Sequence, residues 1–295
     1  MKDSNNISIK TRVLDGVRFF FRVPVIEELL IWLKEKNKAF AKFVPNYYQY
    51  KPKTFRSFVR SGIRFRTDIS DWLGYCAYFN VKNDPYDSLF GLVVKDMTIL
   101  DVGSNIGFTA LNMASLTGRN GMVYAFEPDG HNYTFLKCNI GLNKELPIES
   151  FQLGAGNINE KRKLIVHNSG NRGENKITTL SASDDFAVIE IIKLDDFIET
   201  KKILRVDLIK IDTEGFELNV LKGAENTFSI HSPILFIEVD DANLKEQNSS
   251  AKELIMYVVK LGYQIVSAQT NKSVSTDDDF TDCHFDVICN KHGNK

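Results

Sequence analysis

From residue 98 onward the chain alternates short, nearly unbroken apolar runs with longer stretches whose apolar residues recur at helical spacing. TILDV precedes IGFTALNMASL, and MVYAFE precedes DGHNYTFLKCNI. A further apolar run lies at SFQLGA, and a hairpin-like pair follows at KLIVH and VIEIIKL. DLIKID leads into FELNVLKGAENTF, ILFIEV is followed by a helix near Ala251–Leu261, and YQIVSA and FDVIC close the pattern. Alternating strand and helix predicts an α/β fold, a doubly wound parallel sheet with helices on both faces. Strands that are apolar without interruption suit a sheet buried on both sides. Seven strands are expected in that sheet. The last two have no clear helix between them, which predicts an antiparallel edge.

The first third reads differently. Residues 10–44 are predicted helical from the spacing in VIEELLIWLKEKNKAFAKF, with Pro24 separating two helices. Pro45 and Pro52 predict an irregular aromatic and basic connector over 45–60. Residues 68–95 read as a short lead-in anchored by Trp72, Tyr75 and Tyr78. The expected division is a helical N-terminal extension, 1–66, and a main domain, 67–295.

Charge sharpens that division. The net charge of −1 over 295 residues conceals 15 Lys/Arg against 5 Asp/Glu in residues 1–66, and 22 against 33 in the remainder. A basic arm of this kind fits peripheral contact with an anionic membrane, a homodimer contact, or simply a solvated helical face. The acidic main domain, without an aromatic-proline motif of the NPPY kind, counts against a nucleic-acid acceptor. The four cysteines, Cys76, Cys138, Cys283 and Cys289, form no CxxC pair and histidine is scarce, so neither a disulfide framework nor a zinc site is expected. The most apolar stretch, Val13 to Leu33, is broken by Asp15, Arg18, Arg22, Glu27 and Glu28, which is incompatible with a membrane span. MKDSNNISIK lacks the basic-then-apolar order of a signal peptide, and a cytoplasmic location is expected.

Three motifs sit at strand ends, where doubly wound sheets bind ligands. The first is Ile99-Leu100-Asp101-Val102-Gly103-Ser104-Asn105-Ile106-Gly107. Glycines let the backbone turn sharply and approach a ligand. The GxxxG spacing and the preceding Asp101 count against a dinucleotide pyrophosphate. They suit a ligand with a positive amino group, such as the methionine part of S-adenosylmethionine. The second is Phe126-Glu127-Pro128, where Glu127 lies 24 residues beyond Gly103, a distance at which an acid accepts hydrogen bonds from ribose hydroxyls. The third is Ile209-Lys210-Ile211-Asp212-Thr213-Glu214-Gly215-Phe216-Glu217, joined by Glu238 at the end of the next strand. Carboxylates crowded at strand ends cost stability and shift one another's pKa values, and are more often functional than structural. Glu217, on the first helical turn, can face the crevice or the helix's own amides. His131, His284, the glycine-rich stretch Asn168–Gly173 and Trp72 are weaker candidates.

In this order and spacing, DVGSNIG, FEP with Asn139 downstream, LDDF, DLIKIDTEGFELNVLKGA and LFIEV resemble the FkbM-type methyltransferases over residues of about 75–290. The resemblance implies a Rossmann-like class I methyltransferase sheet and an S-adenosyl-L-methionine cofactor. It also implies O-methylation of a hydroxyl on a sugar, glycan or secondary metabolite, with no metal. It makes Asp101, Gly103, Asn105, Gly107 and Glu127 cofactor contacts, and Asp212, Glu214, Gly215 and Glu217 the site motif. The acids Asp212 and Glu214, then Glu238 and Glu217, are the candidate catalytic groups. Where the family often has Ser-Asp after the third strand, this chain has Gly156-Asn157, and Asn157 stands in the adenine-facing position. The alternatives are a methyltransferase acting on nucleic acid or protein, and a non-catalytic protein that retains the fold.

Overall fold

The structure, a computed structural model, describes residues 9–81, 84–165, 176–178 and 186–291. These fall into two compact units, one of residues 9–58 and 66–81, the other of the remaining described residues. The boundary expected at residue 66 falls inside a strand.

In the first unit, α1 (Ile9–Phe20) and α2 (Pro24–Lys36) are divided at Pro24, which sits where a helix start needs no amide donor. The expected continuation of α2 to residue 44 stops at Asn37. There the backbone is extended, and the side chain caps a separate 3-10 turn, Lys38–Phe43, through the Ala39 amide at 2.9 Å. Val25, Leu29 and Trp32 follow one face of α2 and are exposed. No helix among the described residues is long and apolar enough to cross a membrane.

The irregular connector expected over 45–60 is a strand in its second half. β1 (Phe55–Arg60) and β2 (Ile63–Asp68) form a hairpin around Ser61-Gly62. Both turn residues have positive φ, 50° and 80°, as a two-residue hairpin turn requires. Pro45 and Pro52 lie outside the strands and break none of their pairing. α3 (Trp72–Phe79) starts on an Asp71 cap and ends on left-handed Asn80. It contributes Tyr75, Tyr78 and Phe79 to an aromatic core with Leu30, Tyr50 and Ile69, while Trp72 is partly exposed.

The second unit runs α4 (Asp84–Gly91), β3 (Thr98–Val102), α5 (Phe108–Thr117), β4 (Met122–Phe126), α6 (Gly130–Leu142) and β5 (Ile148–Phe151). Next come β6 (Gly154–Ala155), β7 (Glu160–Ile165), β8 (Lys176–Thr178), β9 (Phe186–Ile192) and α7 (Leu194–Lys201). It continues with β10 (Leu208–Ile211), α8 (Glu217–Lys222), α9 (Glu225–Ile230), β11 (Ile234–Asp240), α10 (Asp241–Glu246) and α11 (Ala251–Lys260), and closes with β12 (Tyr263–Ser267) and β13 (His284–Lys291). Seven strands form the main sheet in the order β12-β13-β11-β10-β3-β4-β5. β3 pairs in parallel with both β4 and β10. The chain therefore winds from β3 toward β5, then returns to the other side of β3. That reversal opens a crevice at the carboxyl ends of β3 and β10. Apolar side chains alternate between the two faces: Leu100, Val102, Ile209 and Ile211 pack on one, and Ile99, Val123, Ala125 and Leu208 on the other.

One expectation changes. The last strand is antiparallel, but it is not the edge: β13 inserts between β11 and β12 and pairs antiparallel with both. β12 returns parallel to β11 after α11, leaving a slot between them that β13 fills; Val287 and Cys289 on it are fully buried. The KLIVH and VIEIIKL segments supply β7 and β9 of a separate four-stranded sheet, β6-β9-β7-β8. The stretch Asn168–Gly173 lies outside the described residues.

Candidate functional site

The loop leaving β3 is built where side chains do not fit. Gly103 has φ +83°, and a Cβ there would lie 1.8 Å from the Asp212 carbonyl oxygen. Gly107, at φ +88°, starts α5 with no room beside Leu136. Between them Asn105 adopts a left-handed conformation, φ 48°, which asparagine tolerates better than most residues. The loop is pinned from behind. The Gly103 and Ser104 amides donate to the Phe126 carbonyl, and the Asn139 side-chain amide donates to the Ile106 carbonyl at 2.9 Å.

Glu127 closes one side of this loop. Its Oε2 accepts the Asn105 amide and its Oε1 the Asp129 amide, each at 2.8 Å. The residue is 5% exposed. Burial pushes its pKa up to about 8, the Asp129 charge adds to this, and the two amide donors offset part of it. Asn157 follows β6 in a partly buried bend beside Gly156, which is pressed against Ile191 and Phe216.

Asp101 lies deeper than its motif suggests. It is fully buried; Oδ2 accepts the Thr109 hydroxyl at 2.8 Å, and Oδ1 faces the Lys210 ammonium at 3.6 Å. Lys210, 2% exposed, also donates to the Gly103 carbonyl at 2.8 Å and meets Asp212 Oδ2 at 3.2 Å. The candidate list read from sequence lacks Lys210. Its signal was a lone cation inside LIKI, a strand otherwise wholly apolar.

The acids at the ends of β10 and β11 do gather. Oxygens of Asp212, Glu214 and Glu238 lie within 4.8 Å of one another. Asp212 directly follows β10, and its amide donates to the Val102 carbonyl at 3.1 Å. Glu214 has φ +55° and accepts the Asn243 side-chain amide at 2.8 Å. Gly215 follows at φ +101°, where a Cβ would strike the Asn243 carbonyl. Glu238 has its carboxyl pKa raised by burial first, then by Asp212, Glu214, Glu217 and Asp286. Such an all-oxygen set could hold a hard divalent cation, though Lys210 already supplies a positive charge beside Asp212.

Glu217 stands apart from these three. It is 1% exposed, and its Oε1 accepts the Thr213 amide and hydroxyl and the Gly215 amide at 2.8, 3.0 and 3.1 Å. It therefore braces the turn that carries Glu214. His284 binds Asp240 at 2.8 Å and its other ring nitrogen is 4.0 Å from Glu238. His131 is exposed against the Phe135 ring. Two further residues were absent from the sequence reading. Tyr86 of α4 has its pKa raised by burial and then by Asp212, and Asp286 of β13 is pushed up to about 6 by burial and then by Asp212.

The chain is similar to known proteins. The model of the FkbM methyltransferase domain matches residues 101–265, from the buried carboxylate of β3 into β12. The hexuronic acid methyltransferase AglP of Haloferax volcanii is 29% identical over 204 residues, covering 62% of this chain and 80% of its own. The 2-O-methyltransferase NoeI of Sinorhizobium fredii is 26% identical over 168 residues, with 51% and 66% covered. A solved FkbM methyltransferase from Methylobacillus flagellatus is 20% identical with a TM-score of 0.47, over 72% of this chain and 50% of its own length, so the chain spans half of that protein. With more than half its length under the family model, the glycine loop and the acid-bearing strands included, the chain belongs to the FkbM family of S-adenosyl-L-methionine-dependent methyltransferases.

Proposed function

We propose that the enzyme O-methylates a hydroxyl of a carbohydrate. The observation that carries this reading is the cluster of Asp212, Glu214 and Glu238, whose oxygens approach within 4.8 Å beside the glycine loop. Several carboxylate oxygens in one place suit an acceptor rich in hydroxyl donors. They oppose a phosphate-rich one through like-charge repulsion. The relatives named for methylation of hexuronic acid and for 2-O-methylation support the same class. If the acceptor carries a uronate, its carboxylate points away from this cluster.

The residues fit the cofactor. Gly103 and Gly107 make the sharp turns of the loop at positive φ, where Asp212 and Leu136 leave no room for a side chain, and Glu127 keeps a carboxyl at the end of β4 with lone pairs beyond its two amide bonds. Glu127 would receive the ribose hydroxyls, and Asn157 would face the adenine. S-adenosyl-L-methionine, when bound, supplies a methyl group already activated by the positive sulfur, so the protein's share of the work is alignment and proton removal. Asp212 takes the proton from the reacting hydroxyl. Glu214, braced by Asn243 and by the Glu217-held turn, accepts a neighbouring hydroxyl. Glu238, whose raised pKa favours the protonated carboxyl, donates to an acceptor oxygen.

Incubation with S-adenosyl-L-methionine and a panel of methyl hexosides, methyl glucuronosides, an RNA oligonucleotide and a peptide tests the reading. Mass spectrometry should find one added methyl on a glycoside, with NMR locating it on oxygen. Transfer to the RNA or the peptide alone would overturn it.

A further inference from the structure

A lysine in the middle of a buried parallel strand is costly unless its charge is matched. All four residues of β10 are buried, Lys210 among them. Its ammonium meets three oxygens: the Gly103 carbonyl at 2.8 Å, Asp212 Oδ2 at 3.2 Å and Asp101 Oδ1 at 3.6 Å. Burial opposes the charge, but Asp212 and then Asp101 outweigh it, and the ammonium's pKa is raised.

The two acids that share this cation are unequal. Asp101 is sealed in the core with Thr109 as a second partner, whereas the Asp212 side chain is 29% exposed. The third partner, the Gly103 carbonyl, belongs to the left-handed residue that begins the cofactor loop. One side chain thus grips that loop and the acid that follows β10. Around the pair stand Tyr86 from α4, Asp101 from β3, Glu127 beyond β4, Glu238 from β11 and Asp286 from β13. These groups hold no positive charge to replace the ammonium.

We propose that Lys210 is a positioning residue for methyl transfer. It ties the Gly103 carbonyl to the Asp212 carboxylate, fixes the distance between the cofactor loop and the acid that meets the acceptor, and supplies that acid's counter-charge. The inference rests on Asp212 acting as the base. The competing role is purely structural, in which Lys210 does no more than neutralise buried Asp101.

Full-length Lys210→Met, Lys210→Arg and the double variant Asp101→Asn/Lys210→Met separate the two. The first readout needs no acceptor: carbon-13 NMR of labelled aspartate carboxyls, with the Asp212 signal assigned by its loss in Asp212→Asn. At one fixed pH the Asp212 carboxyl signal should move in Lys210→Met and in the double variant, which lose the adjacent ammonium, and Lys210→Arg should return it toward wild type. With a methylated glycoside from the panel above, kcat should fall by roughly 10–100-fold in both Met variants, with KM changing less. If Lys210→Met does not fold, the double variant, which removes both buried charges together, carries the test. Calorimetry with S-adenosylhomocysteine on each variant identifies any loss that comes from cofactor binding alone. An unmoved Asp212 carboxyl signal, or wild-type kcat in the double variant, overturns the proposal. If no glycoside in the panel is methylated, the acceptor reading fails, and the Asp212 carboxyl signal still decides whether Lys210 governs Asp212.

Discussion

Each compact unit buries an ionic network, and the two are made differently. In the first, Glu27 is one carboxylate with every oxygen occupied. Oε1 accepts Tyr50 and Arg56 at 2.9 and 3.0 Å, and Oε2 accepts Arg56 and Tyr78 at 2.7 and 3.2 Å. One acid meets one cation, and nothing remains to bind a ligand. In the second unit, Lys210 faces Asp101 and Asp212, with Glu238 and Asp286 nearby. Here acids outnumber the cation. Buried oxygens of Asp101, Glu217 and Glu238 have no hydrogen-bond partner among the described residues. A saturated network holds a fold together, whereas one with surplus charge and open lone pairs is under strain that a ligand or a proton relieves. Glu217 belongs to both kinds: three bonds to Oε1 make it part of the scaffold of the Glu214 turn, while its Oε2 stays open.

The largest expected effect breaks the comparison on its functional side. Asp212→Asn keeps the volume and removes the charge, and turnover on a confirmed glycoside should fall by about 10²–10⁴-fold, as expected for a general base. The denaturation midpoint should move little, because Lys210 keeps Asp101 and the Gly103 carbonyl. A variant that retains turnover within a factor of two or so of wild type, as measured by initial rates at saturating cofactor, would make Asp212 scaffolding.

On the structural side the signs reverse. Glu27→Gln leaves Arg56 without a counter-charge and offers its neighbours an amide nitrogen where they need an acceptor. Breaking a buried pair in this way costs about 3 kcal/mol or more. Denaturant unfolding should record that loss, while the fraction still folded binds S-adenosylhomocysteine with wild-type affinity in calorimetry. A weakened affinity in fully folded Glu27→Gln protein would mean that the saturated network is not purely structural.

What could be read from the sequence follows the same division between local and non-local information. Gly103, Glu127 and Asp212 were legible because each follows an apolar run, and strand ends in a doubly wound sheet converge on one crevice. Lys210 was not legible as a partner of Asp101. Its role exists only because β10 lies beside β3, with Lys210 opposite Asp101 in register, across a separation that no local pattern records. The place of β13 was hidden for the same reason: alternation identifies a strand and its faces, while its neighbours depend on the whole winding of the chain. The β1–β2 hairpin was lost to a different cause, the weight given to Pro45 and Pro52 over the period-two alternation of FRSFVR and IRFRTD. Glu217, on the first helical turn, is already the weaker of the two acids in sequence, and in the bend with positive φ at Glu214 and Gly215 the Thr213 and Gly215 amides point to it.

Glu127 lies between the two kinds of network, occupied by two amides yet placed to receive a ligand, and its titration sharpens the comparison. In the folded protein burial holds its pKa at about 8, against 4.5 for an ordinary glutamate. Between those values the folded chain keeps a proton that the unfolded chain has released. Stability from this group is therefore fully present below the unfolded value and is lost as pH rises toward 8, with a slope of up to about 1.4 kcal/mol per pH unit. Glu238 and Asp286 contribute in the same direction, but they do so equally in a Glu127→Gln variant, so the difference between the two stability curves isolates Glu127. The ligand-free wild type should lose more stability than Glu127→Gln from about pH 5 to 8, measured by denaturant unfolding at each pH. Ribose hydroxyls donate to the ionised carboxylate, so saturating S-adenosylhomocysteine should reduce that slope in the wild type. The variant should also bind S-adenosylhomocysteine more weakly, by about 1.5–3 kcal/mol, the worth of hydrogen bonds to a charged group. Parallel stability curves across this range, together with unchanged affinity, would place Glu127 with Glu27 among the saturated, structural carboxylates.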